Sequence, residues 1–205
     1  MFGLASAGQG ALDWRPPVQR GDLHLLAGGA SPGCVAIVDG YFHDRLAVGH
    51  WELRDLLAQG WIVWGLSSMG ALRAVEMNHM GMKGFGRVFD YYRARPETPD
   101  DEVALLHGPA PEYAPISEPL LHLREALDCL RREDFIRSGT HDVILAELEG
   151  CWFGDRRVTW VLQRVAALES PVLAVRSRER LGDFSEFCIK THDLTAFLEM
   201  RPWEH

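Results

Sequence analysis

The chain has 205 residues, 47% of them hydrophobic, enough for one well-buried core and too few to require two domains. Its net charge of −8 argues against nonspecific nucleic-acid binding, which relies on basic surface to displace phosphate counterions, and suits partners that present basic surface. Cys34, Cys129, Cys151 and Cys188 lie far apart, with no C-x-x-C and no histidine at ligand spacing. They read as reduced thiols of a cytoplasmic protein and argue against a zinc site.

Residues 1–22 are rich in Gly, Ala and Pro and read as an irregular lead-in. No basic segment followed by a long apolar stretch occurs there, so neither a signal peptide nor a membrane span is expected. Cys34-Val35-Ala36-Ile37-Val38 is a continuous apolar run, the pattern of a strand buried on both faces, and Asp39-Gly40 closes it with a turn. His50 to Gln59 reads as a helix, with Leu53, Leu56 and Leu57 on one side and Gly60 as its stop. Trp61-Ile62-Val63-Trp64 is the next strand, and Gly65-Leu66-Ser67-Ser68-Met69-Gly70 carries it into a helix at Ala71–Met77. Strand, helix, strand and helix in this order predict parallel strands, with Asp39 and Ser68 at their carboxyl ends, the edge where open α/β sheets place sites.

Residues 93–119 hold Pro96, Pro99, Pro109, Pro111 and Pro115, several carboxylates and little periodicity. A loop of this length covers a site, binds a partner or is disordered. From Ser117-Glu118-Pro119 the pattern turns helical, through 130, over 140–149 and over 155–168. Pro171–Val175 reads as a further strand, and 186–200 as a last helix. The predicted fold is α/β, with a short, mainly parallel sheet and a helical C-terminal half. It forms one domain over 1–205: a lead-in (1–22), a motif-bearing core (23–131) and a helical part (132–205).

A serine pair flanked by glycines at a strand-to-helix turn admits two readings. The serine is an N-cap without chemistry, or its hydroxyl stands beside free helix N–H groups of the kind that hold oxyanions. The spacing Gly65-x-x-Ser68-x-Gly70 misses the usual nucleophile elbow by one residue. Lys83 and Lys190 are the only lysines. In a helix over 186–200, Lys190 falls inside the apolar stripe of Phe187, Leu194, Phe197 and Leu198. Desolvation there would lower its pKa from about 10.4 towards neutrality and make it a general base; otherwise the side chain snorkels from the stripe's edge. His50 and Glu52, two residues apart, face different ways and cannot form one relay, and His50 reads first as a structural or interface residue. Asp39 fixes its turn or lines a site, and Arg73 pairs with Glu76 or binds a substrate carboxylate.

Ser68-Met69-Gly70-Ala71-Leu72-Arg73-Ala74 also carries a resemblance, together with Ile37-Val38-Asp39-Gly40 and His50-Trp51-Glu52. Gly81-Met82, Gly84-Phe85-Gly86, Asp100-Asp101-Glu102-Val103-Ala104 and Ser117-Glu118-Pro119-Leu120 follow in order. The chain resembles TfuA-like proteins over about 15–131, and more loosely as far as Lys190. It departs from them at Met1-Phe2-Gly3-Leu4-Ala5-Ser6-Ala7, where members often have a strand followed by Gly-Pro-Ser, so that first strand is expected to be missing or altered.

The resemblance implies a partner of YcaO-type enzymes, which activate a peptide amide with ATP for backbone thioamidation. The implied reaction releases sulfide from the thiocarboxylated C-terminus of a ubiquitin-like sulfur carrier, with the precursor peptide involved only indirectly. Ser68 would be the nucleophile and Lys190 its base, the N–H groups of Met69 and Gly70 would receive the oxyanion, and Ser67 would support them. Ser67, Asp39, His50 and Arg73 are the further site-lining residues. The chemistry demands no cofactor and no metal, and no GxxxxGK[ST] motif is present. The alternative is a non-catalytic adaptor that binds the YcaO enzyme and its peptide substrate.

Overall fold

Strands β1 (Leu4–Gly8), β2 (Ala11–Trp14), β3 (Cys34–Ile37), β4 (Ile62–Leu66) and β5 (Lys83–Phe85) form one sheet in the order β2-β1-β3-β4-β5. The structure is a computed structural model that describes residues 4–8, 11–41 and 45–204. The chain divides into two units, residues 1–98 with 189–205, and residues 99–188. The first holds the sheet with helices α1 (Asp22–Gly29), α2 (His50–Ala58), α3 (Met69–Met77), α4 (Gly86–Ala94) and, from the far end of the sequence, the last helix (Ile189–Met200).

β3 and β4 run parallel, with Ala36 opposite Trp64 and Ile37 opposite Gly65, as the strand-helix-strand order predicts. β5 adds a third parallel strand beside β4. It is too short for periodicity to reveal, and its backbone rather than its side chains makes the pairing. The irregular lead-in expected over 1–22 is corrected: β1 pairs antiparallel with both β2 and β3, and Val18 bridges to Gly40. Main-chain groups alone make such a ladder, so a Gly- and Ala-rich segment without alternation can still cover an open strand edge. Of the two expectations for the first strand, a missing one is corrected by the strand at Leu4–Gly8, while residues 1–3 lie outside the described residues.

One sheet face, carrying Ala36, Val38, Trp64 and Leu66, packs on Leu194 and Phe197 of the last helix, with Phe85, Leu198 and Trp203 around them. Each fully buried side chain of this kind contributes about 1.5–3 kcal/mol. On α2, Leu53 and Leu56 are buried, and Glu52 accepts from the N–H of Gly49 and of Gly21 at 3.0 and 2.7 Å, capping the helix start. Two glycines let α3 lie close to the strands. A Cβ on Gly65 would overlap the Gly70 carbonyl, and one on Gly70 would overlap the Ile37 carbonyl.

The second unit is helical: α5 (Leu120–Arg132), α6 (Ser138–Gly150), α7 (Val158–Leu168) and α8 (Pro171–Arg180) enclose Leu123, Leu127, Leu130, Ile144, Leu148 and Val165; the last helix of the chain is therefore α9. The strand expected at Pro171–Val175 is corrected to the start of α8. Ser170 caps it by accepting from the Leu173 N–H, and Pro171 fills the first helical position, where its missing N–H costs nothing. The proline-rich segment is largely irregular, as expected, with a single 3-10 turn at Asp100–Glu102. Arg156, 1% exposed, anchors it by donating to the Asp101 carbonyl and carboxylate, both at 2.8 Å. Ser117 Oγ accepts from the Leu106 N–H at 2.7 Å, and Arg124 pairs with Glu102 at 2.6 Å.

Candidate functional site

β3 and β4 end side by side, which puts Asp39 and the serine turn on one edge of the sheet. The Ser68 N–H donates to the carbonyls of Val38 at 3.1 Å and Leu66 at 2.7 Å, so the turn is tied to the end of β3 as well as to its own strand. Ser67 takes the positive φ of 64°, a conformation that L side chains rarely adopt and that recurs where strands turn sharply into helices. Its Oγ donates to the Lys190 carbonyl at 2.8 Å, joining the turn to the first turn of α9.

Ser68 occupies the N-cap position of α3, yet its side chain makes no capping hydrogen bond. Its backbone explains this: φ −136° and ψ −121° lie away from the extended geometry that aims a cap hydroxyl back at the helix. Ser68 is only 4% exposed, and its Oγ has no hydrogen-bond partner among the described residues. The first helical bonds of α3 run from Ala71 and Leu72 to the Ser68 carbonyl. The N–H groups of Met69 and Gly70 precede them and have no partner among the described residues, as expected of a helix N-terminus.

Lys190 is the second residue of α9, and its side chain is mostly buried. Of the apolar stripe predicted for that helix, Leu194 and Phe197 lie in the core with Leu198 against them, whereas Phe187 is corrected: it precedes the helix in a 3-10 turn and packs with the second unit's core. The ammonium also has a carboxylate beside it: Nζ lies 3.7 Å from Asp39 Oδ2, while Asp39 Oδ1 accepts the Gly40 N–H at 2.9 Å. Asp39 thus fixes its own turn, as one sequence reading has it, and faces Lys190 at once.

His50 and Arg73 are brought together on one carboxylate. His50 Nε2 and Arg73 Nη1 meet the same Glu76 carboxylate oxygen at 2.8 and 2.6 Å, and Arg73 Nε also donates to the Val48 carbonyl at 3.2 Å. The ion pair anticipated for Arg73 is present. His50 and Glu52 make separate contacts, as their spacing requires.

Asp193 was not foreseen. It lies one helical turn beyond Lys190, is 3% exposed, and accepts from the N–H groups of Arg87 and Val88 at 2.8 and 2.9 Å. It caps α4 from outside, and Gly86, at φ 93°, leaves the space that its carboxylate fills. Burial raises the Asp193 pKa above its ordinary 3.8, against the lowering effect of the Val88 and Arg87 N–H groups. A carboxylate set against the apolar stripe of a predicted helix, one turn from a lysine, was the available signal. Among the described residues, no group of three His, Cys, Asp or Glu side chains is placed to hold a metal ion, and no helix is long and apolar enough to cross a membrane.

The fold and the site define an α/β protein that gathers a serine turn, a carboxylate and a lysine on one sheet edge. The chain belongs to the TfuA-like protein family, whose model matches residues 39–157. The match begins at Asp39 and includes the serine turn, and Lys190 lies beyond it. The family is associated with YcaO-type thioamidation. A search of curated proteins found no match.

Proposed function

We propose that this protein is the accessory hydrolase of a YcaO-dependent thioamidation system and releases sulfide from the thiocarboxylated C-terminus of a ubiquitin-like sulfur carrier. Ser68 attacks the thioacyl carbon with Lys190 as general base, the Met69 and Gly70 N–H groups hold the oxyanion, and water clears the acyl-serine. The observation that carries this reading is a buried serine at an N-cap whose hydroxyl does not cap, next to unpartnered helix N–H groups and on the sheet edge where Lys190 meets Asp39. A serine kept only for capping would bond to the helix start.

The protein works in the cytoplasm with its YcaO partner, which supplies the ATP chemistry. Its scattered free thiols suit that reducing compartment. The segment 93–119 is the candidate partner contact, because its prolines and carboxylates form a loop tied down at Asp101 and Ser117.

The test is sulfide release from a thiocarboxylated carrier, with a serine-reactive phosphonate as a probe of the nucleophile. Wild type should release sulfide and be labelled at Ser68. Ser68→Ala and Lys190→Ala should each lose nearly all activity, because members of such a pair act as a unit. Lys190→Arg should fail as well, since a guanidinium does not give up its proton in this range. Intact YcaO binding without labelling or sulfide release would establish the adaptor instead.

A further inference from the structure

We infer that Asp39 is a positioning residue that aims the Lys190 side chain, so that Lys190 first acts as the acid that neutralises an anionic thiocarboxylate and only then as the base for Ser68. This rests on the hydrolase reading and concerns its first proton transfer. Three observations lead to it. Nζ of the mostly buried Lys190 side chain stands 3.7 Å from Oδ2 of the partly exposed Asp39, the distance of an ion pair. The Asp39 carboxylate is itself oriented, because Oδ1 is held by the Gly40 N–H. The Lys190 main chain is held independently by Ser67 Oγ, so the ammonium is presented from a fixed backbone.

A thiocarboxylate is a negatively charged, delocalised and poor electrophile. A hydroxyl cannot add to it readily until its charge is neutralised. The Lys190 side chain, aimed by Asp39, is placed to give that proton, and the α3 N-terminus favours the negative charge on arrival.

The protons then balance through one amine. Lys190 gives a proton to the sulfur of the thiocarboxylate, leaving a neutral thioacid and a neutral amine. That amine takes the Ser68 hydroxyl proton as Oγ bonds to the carbonyl carbon. The C–S bond breaks, and hydrosulfide takes the proton from Lys190 and leaves as hydrogen sulfide. The amine next deprotonates the water that attacks the acyl-serine, and returns that proton to Ser68 Oγ as the ester bond breaks. The carboxylic acid released gives its proton to Lys190, which restores the ion pair. The sum is thiocarboxylate plus water giving carboxylate plus hydrogen sulfide.

The test compares one peptide as its thiocarboxylate and as its neutral methyl thioester, which needs no first protonation. Asp39→Asn keeps the oxygen that accepts the Gly40 N–H and removes the charge. If it folds poorly by circular dichroism, Asp39→Ser keeps a turn-forming acceptor. Relative to wild type, kcat/KM for the thiocarboxylate should fall about tenfold further than kcat/KM for the thioester, the size of one charge-assisted contact. Equal losses on both substrates, or no loss on either, would overturn the assignment of Asp39 and leave the hydrolase intact. If wild type cleaves neither substrate and Ser68 is not labelled, the hydrolase reading fails and this inference with it.

Discussion

Ser67→Gly and Ser67→Ala delete the same hydroxyl from a residue whose φ is 64°. Both lose the hydrogen bond to the Lys190 carbonyl, at a net cost of about 1 kcal/mol. Glycine also relieves the left-handed backbone, a further difference of about 1–2 kcal/mol. Ser67→Gly should therefore unfold at higher urea than Ser67→Ala, although neither carries the hydroxyl. The reverse order would mean that the turn is not held in this conformation. Cys34 offers a second check at this scale. Burial pushes its thiol from 9.0 up to about 11, outweighing the opposite pull of Lys83. Iodoacetamide at pH 8 should leave Cys34 unmodified in the native protein and alkylate it in urea, which a peptide map would read directly. Sequence spacing identified the serine pair but could not divide the work between its members. That division depends on a positive φ and on a partner 123 residues away, and neither leaves a local pattern.

The elements carry their own tests. Gly70→Ala would drive a methyl into the Ile37 carbonyl, and α3 would have to shift away from β3. A loss of about 1–3 kcal/mol or more is expected in denaturant melts, together with a loss of activity out of proportion to it, because the Met69 and Gly70 N–H groups move with the helix. Asp193 supplies a pH prediction. Its folded pKa lies above the ordinary 3.8, so its stabilising contribution is full below that value and declines as pH rises through the folded one. Asp193→Asn should gain stability relative to wild type as pH climbs from the acidic end, and a difference that moved the other way would mean that burial does not raise the Asp193 pKa. Helices were the most legible elements, since His50–Ala58 announces itself by apolar spacing and its Gly60 stop, and Leu120–Arg132 by the Ser117-Glu118-Pro119 start. β1, β2 and β5 did not, because short strands are made by pairing with β3 and β4, which no local window contains. Pro171–Val175 misled for a related reason. A five-residue apolar run fits strand and helix alike, and the Ser170-Pro171 start, rather than the run, is what decides it.

At the scale of the molecule, a net charge of −8 gives the surface an electrostatic preference. Capture of the YcaO partner should weaken as salt rises from about 0.05 to 0.5 M if its contact face is basic, which binding measurements at graded salt would show, and salt-independent capture would point to an apolar interface. The residues of the first unit come from both ends of the chain, 1–98 and 189–205, with a helical unit encoded between them. This interruption governs when the molecule acquires its chemistry. A ribosome that has made the sheet, the serine turn and all of the second unit still lacks Lys190, the α4 cap from Asp193, and the helix that covers one sheet face. Until those last residues emerge, the nascent chain holds a serine without its lysine and an uncovered apolar sheet. If Ser68 and Lys190 act together as proposed, translation itself delays activity, and a message truncated before codon 189 should yield a chain without that pair and with an uncovered sheet face, a substrate for quality control.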